Sequence, residues 1–232
     1  VIYAPERGKR PTETKEERDL DTGELPGKDG TCPFCIGNEQ MIPSIIYECT
    51  PPDTNGWRTR VVPNKYPVLE PDVEVAENDH DIYHTTTSYG RHEVVIETPF
   101  HNRDIPFMTL DEVESVIETY ARRYSTLYGI DETLEAIVIF RNHGARAGTS
   151  LRHPHSQIIA TGFVPKSIAH REEVASAYYR RTRRCVLCDI TEYECAQRTR
   201  LLSENPSFVA FVPFAAGVPY EVWIVPKQHC AD

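Results

Sequence analysis

The sequence predicts an α+β protein made of two copies of one module, each an antiparallel sheet with helices packed against it, and three observations carry that prediction. The first is a repeated order of motifs. Cys32 and Cys35 precede Glu93, Val94, Val95 and Ile96, then Pro99 and His101; Cys185 and Cys188 precede Glu221, Val222, Trp223 and Ile224, then Pro226 and His229, with eight residues from glutamate to histidine in both. A CxxC, a β-branched run and a histidine in the same order twice read as an internal duplication. The second is a helical period between the first histidine and the next strand-like run. The third is the shortness of the connections, which suits antiparallel neighbours. The boundaries follow: residues 1–167 form the first module, with the candidate active site and one metal site, and 168–232 begin a second. The chain starts at Val1 and ends at Asp232 directly after a strand-like segment, so both ends are expected to be cut from a longer polypeptide.

Taken in order, Thr12 to Gly30 is charged, contains glycine and proline, and reads as a surface loop. Pro71 to Thr87, acidic and weakly periodic, reads as a connection. Thr109 and Glu112 fit a capping box, with Val113, Val116, Ile117, Tyr120, Tyr124 and Leu127 at helical spacing and Gly129 placed to end the helix. Leu134 to Phe140 reads as a strand. A loop, Arg141 to Ser150, leads into His153-Pro154-His155-Ser156-Gln157 and the apolar Ile158, Ile159 and Ala160. Alternate side chains of a strand share a face, so His153, His155 and Gln157 lie together. Ile168 to Arg184 reads as a helix between the modules.

Composition excludes several classes. With 35 acidic and 25 basic residues the net charge is −10, which argues against a nucleic-acid partner, because a polyanion is bound through a basic surface that releases its counterions. No run of about 18 apolar residues appears that would cross a membrane. Seven cysteines, two pairs of them in CxxC spacing, favour zinc in a reducing cytoplasm over a disulfide framework.

Zinc takes four tetrahedral sulfur and nitrogen ligands. The first site is expected to use Cys32, Cys35, His101 and His153, a closed set with a structural role. The second is expected to use Cys185, Cys188 and His229, with a fourth ligand from beyond Asp232; reduced, unligated cysteines are the alternative there.

His155 is the candidate nucleophile. A neutral imidazole attacks phosphorus and leaves readily once phosphorylated, which divides one difficult transfer into two steps. Gln157 donates to a phosphoryl oxygen but offers no base. Asn142, Ser150 and the amides near Gly148 are further candidate donors, the glycine letting the backbone approach an anion. Arg7 and Arg10 suit a phosphate, since guanidinium donates in a fixed fork. Val61 to Pro67, containing Asn64, offers an amide and an aromatic ring to a ribose and base. For these last two segments an exposed basic or turn residue reads equally well.

APERGKRP (4–11), CPFC with GN (32–38), PNKYP (63–67), HEVVIETPFH (92–101), FRNHGARAGTSLRHPHSQI (140–158) and VPKQH (225–229) together resemble the galactose-1-phosphate uridylyltransferase branch of the histidine-triad superfamily. The resemblance implies two histidine-triad units in a half-barrel, a homodimer, and a cytoplasmic transferase of galactose metabolism. It implies a ping-pong reaction in which His155 takes UMP from UDP-glucose and passes it to galactose 1-phosphate. It also implies that Gln157 and Ser150 contact the transferred phosphoryl group, that Arg7, Arg10 and Asn64 hold the nucleotide, that zinc is bound by Cys32, Cys35, His101 and His153, and that a main-chain carbonyl near His153 orients His155. Hydrolytic relatives carry a third histidine where Gln157 stands. Ser156, in place of the glycine common in the branch, and the second CxxC with VPKQH are similar to a plant-type relative that moves AMP from ADP-glucose to inorganic phosphate, which is the alternative reading. A zinc-stabilised nucleotide-binding module without catalysis is a third.

Overall fold

Thr109 caps the predicted helix: its hydroxyl accepts from the Glu112 N–H at 3.3 Å, and the Glu112 carboxylate accepts from the Thr109 N–H at 2.7 Å. In the computed structural model, which describes residues 4–9, 25–52 and 56–230, this helix, α1, spans Leu110–Ile130. It runs through Gly129 and gives way at Asp131, an extended residue, so the glycine is not the stop the sequence suggests. Its buried stripe also differs from the apolar one. Ile117 and Tyr124 are exposed, whereas Thr119 and Arg123 are buried. The sheet beneath explains this. Thr119 Oγ1 meets Thr59 Oγ1 at 2.6 Å, and Arg123 reaches both carboxylate oxygens of Glu93 at 2.7 and 2.9 Å, so partnered polar groups occupy places that hydropathy assigns to apolar ones.

The strands of that sheet are β1 (Tyr47–Cys49), β2 (Thr59–Pro63), β5 (Gly90–Ile96), β6 (Ala136–Phe140) and β7 (His155–Thr161), antiparallel throughout in the order β1-β2-β5-β7-β6. The α+β class with an antiparallel sheet is as expected. Proline has no N–H to give a ladder, and β7 accordingly begins at His155, after Pro154. Gly90 sits at φ +146° with the Ala160 carbonyl 2.2 Å from where a Cβ would stand, so β5 meets β7 there only because the residue is glycine. Between β2 and β5, β3 (Glu77–His80) and β4 (Tyr83–Thr86) form a separate two-stranded hairpin turning through Asp81 at φ +57°, within the stretch that the sequence suggests is a connection. Polar side chains on an exposed hairpin leave no hydrophobic alternation to read.

The central sheet has two covered faces. Val61, Val95, Ile158 and Ala160 pack with Leu127 of α1, forming one core. On the other face Val62, Val94 and Ile96 pack with Trp57, Phe34 and Ile42. Register pairs Val62 with Val94 and Val94 with Gln157, while Ile96 faces His155, so His155 and Gln157 stand on this second face and Ser156 and Ile158 on the first.

The chain's contacts divide it after Val164 into two units. The second, from Pro165, contains α2 (Lys166–Thr182), α3 (Val186–Gln197) and a sheet of β8 (Leu201–Glu204), β9 (Phe208–Phe211) and β10 (Trp223–Pro226), antiparallel in the order β10-β9-β8. Arg183 and Arg198, at φ +61° and +56°, end α2 and α3 in left-handed caps without glycine, which hides both stops from the sequence. Buried Glu194 is held by Arg200 at 2.8 Å, and Val209 and Phe211 form the inner face of the sheet.

The Glu93–Arg123 pair is testable. Glu93→Ala strands a buried guanidinium and is expected to cost about 3–5 kcal/mol in denaturant unfolding, whereas Glu93→Gln with Arg123→Met costs much less; equal costs for the two would contradict the pairing.

Candidate active site and metal centre

The CPFC segment is a chain of tight turns. Cys35 N–H donates to Cys32 O at 3.3 Å, Asp29 N–H points at Cys35 Sγ at 3.3 Å, and buried Asn38 clamps the turn through Nδ2 to Cys32 O at 2.7 Å and Asp29 O at 3.0 Å. These bonds aim both sulfurs inward, at His101 beyond β5 and His153 before β7. Cys35 Sγ lies 3.4 Å from His101 Nδ1 and 3.5 Å from His153 Nδ1, and the ligand atoms of Cys32, Cys35, His101 and His153 all fall within 4.8 Å of one another, each residue buried. Tetrahedral zinc with sulfur at about 2.3 Å and nitrogen at about 2.0–2.1 Å places mixed ligand pairs about 3.5 Å apart, which is the spacing seen.

The donor chemistry fits as well. Burial pushes the Cys32 thiol up to about 12, so this pocket stabilises the thiolate only when a cation shares it. Burial likewise pushes His153 down to about 4, leaving a neutral ring. Its Nε2 donates to Thr98 O at 2.8 Å, which fixes the tautomer with Nδ1 facing the sulfurs, the outer-shell bond that metal-bound histidines make. The four residues therefore fit a closed structural zinc.

The second cluster repeats one of these contacts. Cys188 Sγ lies 3.2 Å from His229 Nδ1, the second cysteine of its CxxC against the histidine after its strand, as Cys35 stands against His101. Cys185, Cys188 and His229 bring three ligand atoms within 4.8 Å of one another. Cys185 is the N-cap of α3, and the Cys188 N–H above it draws its thiol below the usual range.

His155 stands two residues beyond His153. Its Nδ1 donates to the His153 carbonyl at 2.7 Å, which leaves the lone pair on Nε2. Burial lowers its basicity, opposed by that carbonyl and by Glu97, so the ring is neutral near pH 7. Phe34, between the two cysteines, packs edge-on to both rings, at 5.9 Å from His153 and 5.3 Å from His155. Gln157 has a partner the sequence does not announce. His92 Nδ1 accepts from the Val68 N–H at 3.1 Å, its proton therefore lies on Nε2, and that N–H donates to Gln157 Oε1 at 2.9 Å. With its oxygen engaged, Gln157 presents its NH₂ group as the remaining donor.

A cavity of about 360 Å³ opens on this face. Phe34, Ile42, Val62 and Val94 form its apolar wall, and Asn64, Gly148, Ser150, His155 and Gln157 line it too, so five of the expected site residues meet there. Gly148 adopts φ +78°, a left-handed turn that its residue type permits. Asn64 is held by its N–H to His92 O at 2.8 Å and accepts from Tyr66 N–H at 2.9 Å. Arg7 donates to the Tyr66 carbonyl at 2.9 Å, beside the wall rather than in it. Asn142 lines a second cavity of about 190 Å³ with Arg141 and His143; His155, Thr149 and Leu151 line both cavities. Arg10 lies outside the described residues. Phe34, His92, Glu97 and Arg141 are the residues that sequence reasoning passed over; HEVVIETPFH and FRNHG contain three of them, but a motif does not reveal which of its polar residues is bonded inward.

The chain belongs to the family described as galactose-1-phosphate uridyl transferase, N-terminal domain, which it matches over residues 1–165. It is 33% identical over 231 residues to ADP-glucose phosphorylase of Arabidopsis thaliana, covering 99% of this chain and 63% of that protein. It is 34% identical over 202 residues to galactose-1-phosphate uridylyltransferase of Thermotoga maritima, covering 85% of this chain and 58% of that one. The crystal structure of an ADP-glucose phosphorylase from Arabidopsis thaliana with bound ADP-glucose matches with a TM-score of 0.73 at 31% identity, covering 99% of this chain and 65% of that chain. The chain thus spans less than two thirds of the length of each.

Metal analysis checks the buried cluster: at least one zinc per chain is expected, and Cys35→Ser is expected to lose one equivalent and to lower the melting temperature of the protein. Full zinc content in that variant would remove Cys35 from the ligand set.

Proposed function

We propose that the protein moves a nucleotidyl group from a nucleoside diphosphate sugar through a covalent bond to His155. The Nδ1–H bond from His155 to the His153 carbonyl is the observation that carries this reading, because it fixes the proton on one nitrogen and leaves the other as a nucleophile beside a cavity with an apolar wall and a polar end. In the first step Nε2 attacks the α-phosphorus. The N–P bond forms as the bond to the bridging oxygen breaks, and its electron pair leaves with the sugar 1-phosphate. In the second step an oxygen of an acceptor phosphate attacks the same phosphorus and the N–P electrons return to His155.

Gln157, turned by His92, and Ser150 donate to the nonbridging oxygens as charge gathers on them. The backbone around Gly148 adds donors, Asn64 and Arg7 steady the nucleotide, and Asn142 supports the loop. Arg10 is assigned with Arg7 on the resemblance of 4–11 alone. Zinc on Cys32, Cys35, His101 and His153 supplies structure, holding His153 so that its carbonyl stays aimed at His155; a second zinc on Cys185, Cys188 and His229 does the same for its own unit. Gln157 has no basic lone pair for activating water, which preserves the intermediate until a phosphate arrives.

In the first donor reading UDP-glucose gives UMP to galactose 1-phosphate. In the second, ADP-glucose gives AMP to inorganic phosphate. The match to ADP-glucose phosphorylase over 99% of this chain favours the second, as does Ser156. A cytoplasmic homodimer is part of the proposal. Among the described residues no helix is long and apolar enough to cross a membrane.

Incubating the protein separately with ADP-glucose and UDP-glucose labelled in the nucleotide identifies the donor: acid-labile label on His155 is expected from one of them and none in His155→Ala. Absence of label from both would defeat the covalent mechanism. Gln157→His is expected to divert the intermediate to water, read as free nucleoside monophosphate released without acceptor; a variant that still waits for phosphate would contradict the role given to Gln157.

A further inference from the structure

On the face of β7 that α1 covers, opposite the one that carries His155, lies a buried carboxylate. Glu97, the residue after β5, is 1% exposed, and it gathers groups from three other segments. Its N–H donates to the Pro154 carbonyl at 3.2 Å. Oε1 accepts from Ser156 Oγ of β7 and from the Tyr120 hydroxyl of α1 at 2.9 Å. Arg141 Nε lies 3.1 and 2.9 Å from the two carboxylate oxygens, and Arg141 Nη2 donates on to Asp104. Thr98, the next residue, accepts from His153 Nε2.

Neutralising a buried carboxylate needs only one cation. The partners present do more than that, because Ser156 is the residue between His155 and Gln157 and Arg141 is the first residue after β6, at the head of the loop that carries Gly148 and Ser150. That loop is closed on itself by Thr149 Oγ1 donating to Asn142 O at 2.7 Å, so its head and its donors move together. We propose that Glu97 is a positioning residue: through Ser156 on one side and Arg141 on the other, it sets the distance between the His155 imidazole and the donors of loop 141–150. This rests on the reading of His155 as the nucleophile. A phosphoryl group in transfer spans that distance, so an error in it slows the chemical step and leaves the affinity of the apolar cavity for the nucleoside unchanged.

The test compares the intact wild-type polypeptide with Arg141→Lys, which keeps the charge and loses the fork, and with Glu97→Gln combined with Arg141→Met, which removes the buried carboxylate's charge together with that of its half-buried partner, so that neither is left unpaired by the other's loss. Single-turnover labelling of His155, nucleotide affinity, zinc content and deuterium uptake of the 141–150 peptide are measured on each. Labelling is expected to slow about tenfold or more in both variants, with affinity and zinc within about twofold of wild type and faster uptake confined to 141–150. Labelling at the wild-type rate, or slowed only in proportion to zinc lost, overturns the proposal and assigns Glu97 to stability alone. If wild type takes no label from either nucleotide sugar, the covalent reading fails by itself. Deuterium uptake then decides this proposal: unchanged exchange at 141–150 overturns it, and accelerated exchange upholds the tether.

Discussion

His153 is bonded at three atoms, and the site depends on all three. Nδ1 faces the cysteine cluster, Nε2 donates to Thr98 O, and the carbonyl accepts from His155 Nδ1. Moving the ring moves the strand that carries the carbonyl, and moving the carbonyl changes which nitrogen of His155 is free. A ring wholly enclosed by protein at 0% exposure has no room for such movement once a metal holds its Nδ1. The buried Cys/His cluster and the His155 imidazole are thus two ends of one short rigid path through a single residue.

The same economy appears on the next strand. His92 reaches from β5 to fix the amide of Gln157, and its carbonyl also receives the N–H of Asn64. His155, Gln157 and Asn64 are each held by a bond made from behind, to His153 or His92, neither of which lines the larger cavity. Under the proposed transfer, donors held in this way need not reorganise as charge develops at phosphorus.

Much of the site was legible in the chain because its determinants are short in sequence or regular in period. A CxxC is a local motif, a strand's alternation puts His155 and Gln157 on one face, and the Thr109–Glu112 spacing announces a helix start. The repeated order of CxxC and histidine was legible too, and Cys188–His229 repeats the Cys35–His101 contact in space. Illegible were the features in which a polar side chain is buried because its partner lies far along the chain. Arg123 and Thr119 sit where hydropathy expects apolar groups, since Glu93 and Thr59 are there to meet them. Glu97 looks like any strand-end glutamate until Ser156, Tyr120 and Arg141 are brought to it. The ends of α2 and α3 were hidden for another reason, since arginine took the left-handed caps where glycine is the usual sign.

The alternation of β7 has an implication for how such a protein can change over generations. Odd-numbered positions, His155 and Gln157, face the cavity, while the even one between them, Ser156, faces the helix-covered side. A substitution at 156 can therefore retune the scaffold without replacing either cavity-facing group, whereas a single-residue insertion or deletion anywhere from 155 to 157 would exchange the two sides at once. Drift in this short segment is free to proceed by replacement and closed to changes of length.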